Sequence, residues 1–149
     1  MAIVRSAGTE IIRCITLKEV DSTGRDMIVG EQHHIYTVLS IIIYTQGLNA
    51  DRDHVGVYLA GYDANAGTSA ENQTLFLQDM SLQETFVWND KFSFNGAEPT
   101  GFTGGLTTAA EQDLIADQGT TTAQTLKIYT QHASDNVDVI CTFIDQNNS

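Results

Sequence analysis

Residues 137–145 read VDVICTFID and residues 35–44 read IYTVLSIIIY, and these two runs decide the fold. Both are rich in β-branched and aromatic residues, and both follow the two-residue period of an extended chain with apolar side chains on each face. A strand that is apolar on one face needs a single core to cover it. One that is apolar on both faces needs a second cover, most often another subunit in a small protein.

Working outward, runs of the same character separated by turn chemistry fill most of the 149 residues. Strands are predicted at Thr9 to Val20, Met27 to Val29, Ile35 to Thr45, His54 to Tyr62, Thr74 to Leu77, Thr85 to Trp88, Lys91 to Phe94, Gln124 to Gln131 and Val137 to Asp145. Asp21-Ser22-Thr23-Gly24, Asn89-Asp90 and Asn95-Gly96 supply turn residues between them, and Asn89-Asp90 reads as the tip of a hairpin. The segment from Gly96 to Gly119 departs from this rhythm and reads as an insertion. Within it, Thr107 to Ala116 has a capping Thr, an early Glu111 and a Leu114-Ile115 anchor, enough for about two helical turns. Short, turn-punctuated strands with no βαβ alternation predict one all-β domain over residues 1–149. The expected architecture is an antiparallel, jelly-roll-like β-sandwich of about eight strands carrying one loop and short-helix insertion.

Composition narrows the function. Seven Lys and Arg against 19 Asp and Glu give a formal net charge of -12, which repels nucleic-acid phosphates and anionic lipid. No nucleic acid and no membrane is expected as a partner; no apolar stretch approaches a membrane span, and Met1 to Arg5 lacks a signal-peptide layout. Cys14 and Cys141 both lie in apolar runs and are read as buried free thiols, close together if the first and last strands are neighbours.

A search for chemistry finds no enzyme. Adjacent His33 and His34 point to opposite faces of an extended chain, so they cannot share one ion, and no His-x-His occurs. Asp51 and Asp53 could share a face but would need further oxygen ligands from elsewhere. No Gly-x-Ser-x-Gly and no phosphate-cradling Gly-rich motif with a lysine is present. No catalytic residue, metal or cofactor is therefore assigned.

Aromatic and two-faced strands are the better lead. On Ile35 to Thr45, one side is expected to show Ile35, Leu39, Ile41 and Ile43, and the other Tyr36, Val38, Ile42 and Tyr44. On His54 to Tyr62, Val55, Val57 and Leu59 oppose Tyr58, Ala60 and Tyr62. The tyrosine-bearing faces have the mixed character of interfaces, so Tyr36, Ile42, Tyr44, Tyr58 and Tyr62 are the candidate subunit interface. Phe86, Trp88, Phe92 and Phe94 form a second cluster, read as core or as an aromatic contact surface.

The order of these pieces, with ETFVW, NDKFSFNG and a closing LKIY…ASDNVDVICTFID, resembles small β-sandwich virion proteins of tailed bacteriophages, especially those of marine cyanobacterial viruses. The resemblance covers the chain from Ile35 to its end and is broken by the Gly96 to Gly119 insertion. It implies a non-catalytic virion structural protein, assembled in the host cytoplasm, that decorates or cements the capsid or belongs to the neck or tail. The implied partners are further copies of the chain, expected as a homotrimer, and other virion proteins such as the major capsid, neck or tail proteins. The alternative is a carbohydrate- or receptor-binding module of a tail fibre, with Trp88 or an exposed tyrosine as its stacking platform.

Overall fold

A computed structural model describes residues 8–63, 68–98, 107–116 and 123–148. They form β1 (Thr9–Val20), β2 (Arg25–Val29), β3 (His34–Gly47), β4 (His54–Asp63), β5 (Thr68–Asp79), β6 (Thr85–Trp88), β7 (Phe92–Asn95), α1 (Ala109–Ala116), β8 (Thr125–Thr130) and β9 (Asn136–Asn147). One sheet has the order β1-β9-β3-β6, with β7 also on β3, and the other has the order β2-β8-β4-β5. All the pairings are antiparallel.

β6 and β7 are two halves of one interrupted strand. β6 pairs with Ile41 to Tyr44 of β3, and β7 pairs with Ile35 to Val38 of the same strand. The hairpin expected at Asn89-Asp90 is therefore absent. A hairpin there would set Trp88 opposite Lys91, whereas continuing along β3 turns Phe86, Trp88, Phe92 and Phe94 all toward the core. Counted this way, the described residues form eight strands in two four-stranded sheets, the jelly-roll arrangement.

The burial of β9 follows the alternation read from its sequence. Val137, Val139, Cys141 and Phe143 are buried, while Asp138, Ile140, Thr142 and Ile144 face away. On β3 the parity changes midway. Tyr36 and Val38 are buried, then Ile41, Ile43 and Thr45. The cause is a register shift against β9: Val38 pairs with Phe143 and Ser40 with Thr142, leaving Leu39 as the extra residue of a bulge. One extra residue exchanges the faces of everything beyond it. The two faces expected for this strand are thus each correct over half its length, and Tyr36 belongs to the core at 1 % exposure rather than to any interface.

The core between the sheets includes Val20, Met27, Ile28, Val55, Val57, Leu126 and Ile128 as well as the β3 and β9 side chains. Phe76 of β5 bridges the sheets at their open side, stacking on Trp88 at 4.7 Å between centroids and tilting against Phe86 at 5.7 Å. At one end, Gly30 and Gly96 approach so closely that a Cβ on Gly30 would lie 2.6 Å from the Gly96 Cα, which fixes the start of the insertion against the β2–β3 turn. Within that insertion α1 opens on a capping box. The Glu111 N–H donates to Thr108 Oγ1 at 3.2 Å, and the Thr108 N–H donates back to the Glu111 carboxylate at 3.1 Å. Residues 99–106 and 117–119 of the insertion lie outside the described residues.

Candidate association surface

The outward face of the β1-β9-β3-β6 sheet is assembled by register. Thr16, Ile140, Ile42 and Val87 form one row across all four strands. Ile12, Ile144, Thr37 and Ser93 form a second, and Cys14, Thr142 and Ser40 lie between them. Ile12 is 72 % exposed, Val87 49 % and Ile140 39 %. None of these eleven side chains is ionisable as a carboxylate or cation, although the chain carries 19 acids. Charge returns at the margins, where Lys18 pairs with Asp138 at 3.2 Å beside Tyr44, Glu10 lies opposite Gln146, and exposed Asp90 and Lys91 lie between β6 and β7.

The sequence-derived interface residues divide between two places. Ile42 and Tyr44 lie on this outward face, Tyr44 exposed and Ile42 half-buried. Tyr36 is sealed inside, its hydroxyl accepting the Glu31 N–H at 3.1 Å. Burial first, then the Asp145 charge, pushes that phenol up to about 12. Tyr58 lies on the other sheet's outward face beside Tyr129, whose ring meets it edge-on at 5.6 Å. Tyr62 falls within β4, and its side chain lies outside the described residues. Phe86, Trp88, Phe92 and Phe94 pack against the core, so a free aromatic platform does not arise there. Cys14, expected to be buried, is exposed because β1 is the sheet's edge strand and Cys14 points outward; β1 and β9 are indeed neighbours.

Two polar clusters went unread because their members are distant in sequence. Asp145, on the inward face of β9, takes the Arg13 guanidinium at 3.1 Å and His34 Nδ1 at 2.7 Å. Arg13 also lies over the Phe143 ring at 5.4 Å. A buried carboxylate needs this pairing, because an isolated one would cost several kcal/mol. At the opposite end, Asp53, His132 and Asp135 bring their ligand atoms within 4.8 Å of one another. Their oxygens are engaged in closing loops. Asp53 accepts the Ala50 N–H at 3.0 Å and lies 3.0 Å from His132 Nδ1, while Asp135 accepts the Asn49 N–H at 2.7 Å and the His132 N–H at 2.8 Å. Burial pushes the Asp53 carboxyl up, but these hydrogen bonds outweigh it and hold the group below the ordinary carboxylate range. The cluster acts as a clasp between the β3–β4 and β8–β9 loops. Neither His34 nor His132 is paired with a serine or cysteine among the described residues.

No protein-family model matches the chain, and no curated protein matches it in sequence. Among solved structures it is similar in fold to a chain of the Bacillus endospore appendages described as a family of disulfide-linked pili. That likeness has 11 % identity and a TM-score of 0.43, covering 100 % of this chain and 96 % of that one. It is also similar to a chain from the structure of infectious bursal disease virus Gx strain, at 7 % identity and a TM-score of 0.41, covering 96 % of this chain but 30 % of that one. At these values the likenesses add nothing to what strand order already establishes.

Proposed function

We propose that this chain is a non-catalytic structural subunit of a bacteriophage virion, working as a closed homo-oligomer that decorates or cements the capsid or forms part of the neck or tail. The observation that carries the assembly is the uncharged face of the β1-β9-β3-β6 sheet, where Ile12, Ile42, Val87, Ile140 and Ile144 stand among serines and threonines, in a chain of net charge -12. Its exposed isoleucines and valine favour a cover, and a second copy is the occupant it fits, since two acidic molecules repel each other least where neither presents carboxylates. Four strands of about ten residues present roughly 19 Å by 34 Å, on the order of 650 Å². Specific interfaces use roughly 600–1,000 Å² per partner, so the sheet face with part of its rim suffices. Closed symmetry is the ordinary way to cover such faces, and the trimer is the form that the sequence resemblance implies.

The virion assignment is supported by the sequence resemblance from Ile35 onward, and a jelly roll suits both capsid proteins and lectins. The tail-fibre alternative loses its Trp88 platform, because Phe76 stacks on that indole within the protein. The test is composition of the particle. Density-gradient-purified virions should contain this chain in many copies, co-migrating with the major capsid protein and visible as ordered density on the head, neck or tail. Particles lacking it would overturn the reading.

A further inference from the structure

The outward face of the β2-β8-β4-β5 sheet carries a hollow of about 320 Å³, lined by Ser22, Thr23, Tyr58, Asn72, Thr74 and Tyr129. We infer that this hollow is a binding site for a neutral saccharide. Its volume lies at the small end of the roughly 300–1,000 Å³ typical of ligand sites.

The argument is chemical. Two tyrosines supply ring surface and phenolic hydroxyls, and the rest of the lining consists of three hydroxyls and one carboxamide. Each of these side chains can donate and accept, as a polyol requires, and none of them hydrogen-bonds to another side chain among the described residues. No lining residue is charged, in a chain of net charge -12, so neither a phosphate nor a metal ion is favoured there. A neighbouring cation, Lys127, sits opposite Tyr58 in the register and is already paired with Asp26 at 3.5 Å.

The rings are held in place before any ligand arrives. Tyr58 and Tyr129 meet edge-on at 69°, so they do not cover one another as a stacked pair would. Tyr129 is further fixed by the edge of His54 at 6.1 Å and by Gly56 beneath it, where an added Cβ would stand 2.5 Å from Tyr129 Cε1. Only glycine there lets the ring lie against the strand. A preformed, open and uncharged aromatic hollow suits sugar C–H faces against the rings and sugar hydroxyls against Asn72, Thr74, Ser22 and Thr23. Several copies per assembly would raise the weak affinity of each hollow by avidity.

The site does not depend on the association face, which lies on the other sheet. The test uses the full chain on an array of neutral glycans (hexose, pentose and N-acetylhexosamine oligosaccharides), with acidic glycans printed beside them. The wild-type protein should bind a subset of the neutral glycans. Tyr58→Ala should weaken binding by roughly tenfold or more, in line with the loss of a contact anchor. Asn72→Lys, on an exposed side chain, should do the same with the fold and the oligomer unchanged. Failure to bind any neutral glycan, binding confined to acidic glycans, or binding that survives Asn72→Lys would each overturn the inference.

Discussion

Ile42 of β3 and Ile140 of β9 are paired partners whose side chains stand side by side on the outward face of a sheet, with Val87 beyond Ile42 in the same row. Among the described residues Ile42 is half-buried, and Ile140 and Val87 remain exposed. Fully burying a side chain of this kind contributes roughly 1.5–3 kcal/mol, and Ile140 and Val87, 39 % and 49 % exposed, have part of that still to gain on association. Replacing Ile42 and Ile140 together by threonine should keep the β-propensity and the fold while weakening association at least tenfold, as read by analytical ultracentrifugation.

Cysteine reactivity reports the same face. Burial pushes the Cys141 thiol up to about 12, whereas Cys14 is exposed among the outward residues. One thiol per native chain should react with a maleimide and two after denaturation. Cys14 should also react faster in an association-defective variant than in the wild type. Two fast thiols in the native protein would contradict the buried position of Cys141.

Acid should loosen the loop clasp. The Asp53 carboxyl, and that of Asp138, are held below the ordinary carboxylate range; in both, burial pushes upward but hydrogen bonds prevail, for Asp138 those from Lys18, Gln46 and the Glu19 N–H. A group whose pKa is lower folded than unfolded binds its proton more readily when unfolded. The stability it contributes is therefore complete above the unfolded value of about 4 and is lost as pH falls through the folded one. Thermal unfolding should be flat at neutral pH and drop in temperature below about pH 4, and Asp53→Asn should shrink that drop.

Trp88 offers a stability contrast. It is half-buried, stacked on Phe76, and its Nε1 is a buried donor with no acceptor among the described residues. Trp88→Ala should destabilise by about 2–4 kcal/mol, less than the loss for a fully buried indole. Trp88→Phe keeps the ring contact and removes the unmatched donor, so it should cost under about 1.5 kcal/mol by urea denaturation.

Much of this architecture was legible because strand periodicity survives in the sequence. The ranges Thr9–Val20 and Thr85–Trp88 were read as the structure has them, and the alternation of β9 carries through to its burial. The bulge at Leu39 was not legible, since Leu39 and Ser40 fit either face and only the unbroken ladder of β9 shows which residue is extra. Asn89-Asp90 has hairpin chemistry, yet the pull of one core on four aromatics keeps β7 on β3. Of the five interface residues read from the sequence, Ile42 and Tyr44 lie on the outward face. Ile12, Ile140 and Val87 joined it only once the register placed them in rows with those residues. The Tyr129 hollow and the Asp53 clasp draw on segments more than 70 residues apart, which no local pattern connects.

The central claim is that like chains associate through the Ile42–Ile140 face. It is tested most directly by size-exclusion chromatography with light scattering on the wild type and on Ile140→Glu, a surface change that adds a carboxylate to the middle of the row. The wild type should elute at a multiple of the 16.3 kDa protomer mass, and the variant at that mass with an unchanged circular dichroism spectrum. A wild-type protein that is monomeric, or an Ile140→Glu variant that remains fully assembled, would contradict the claim.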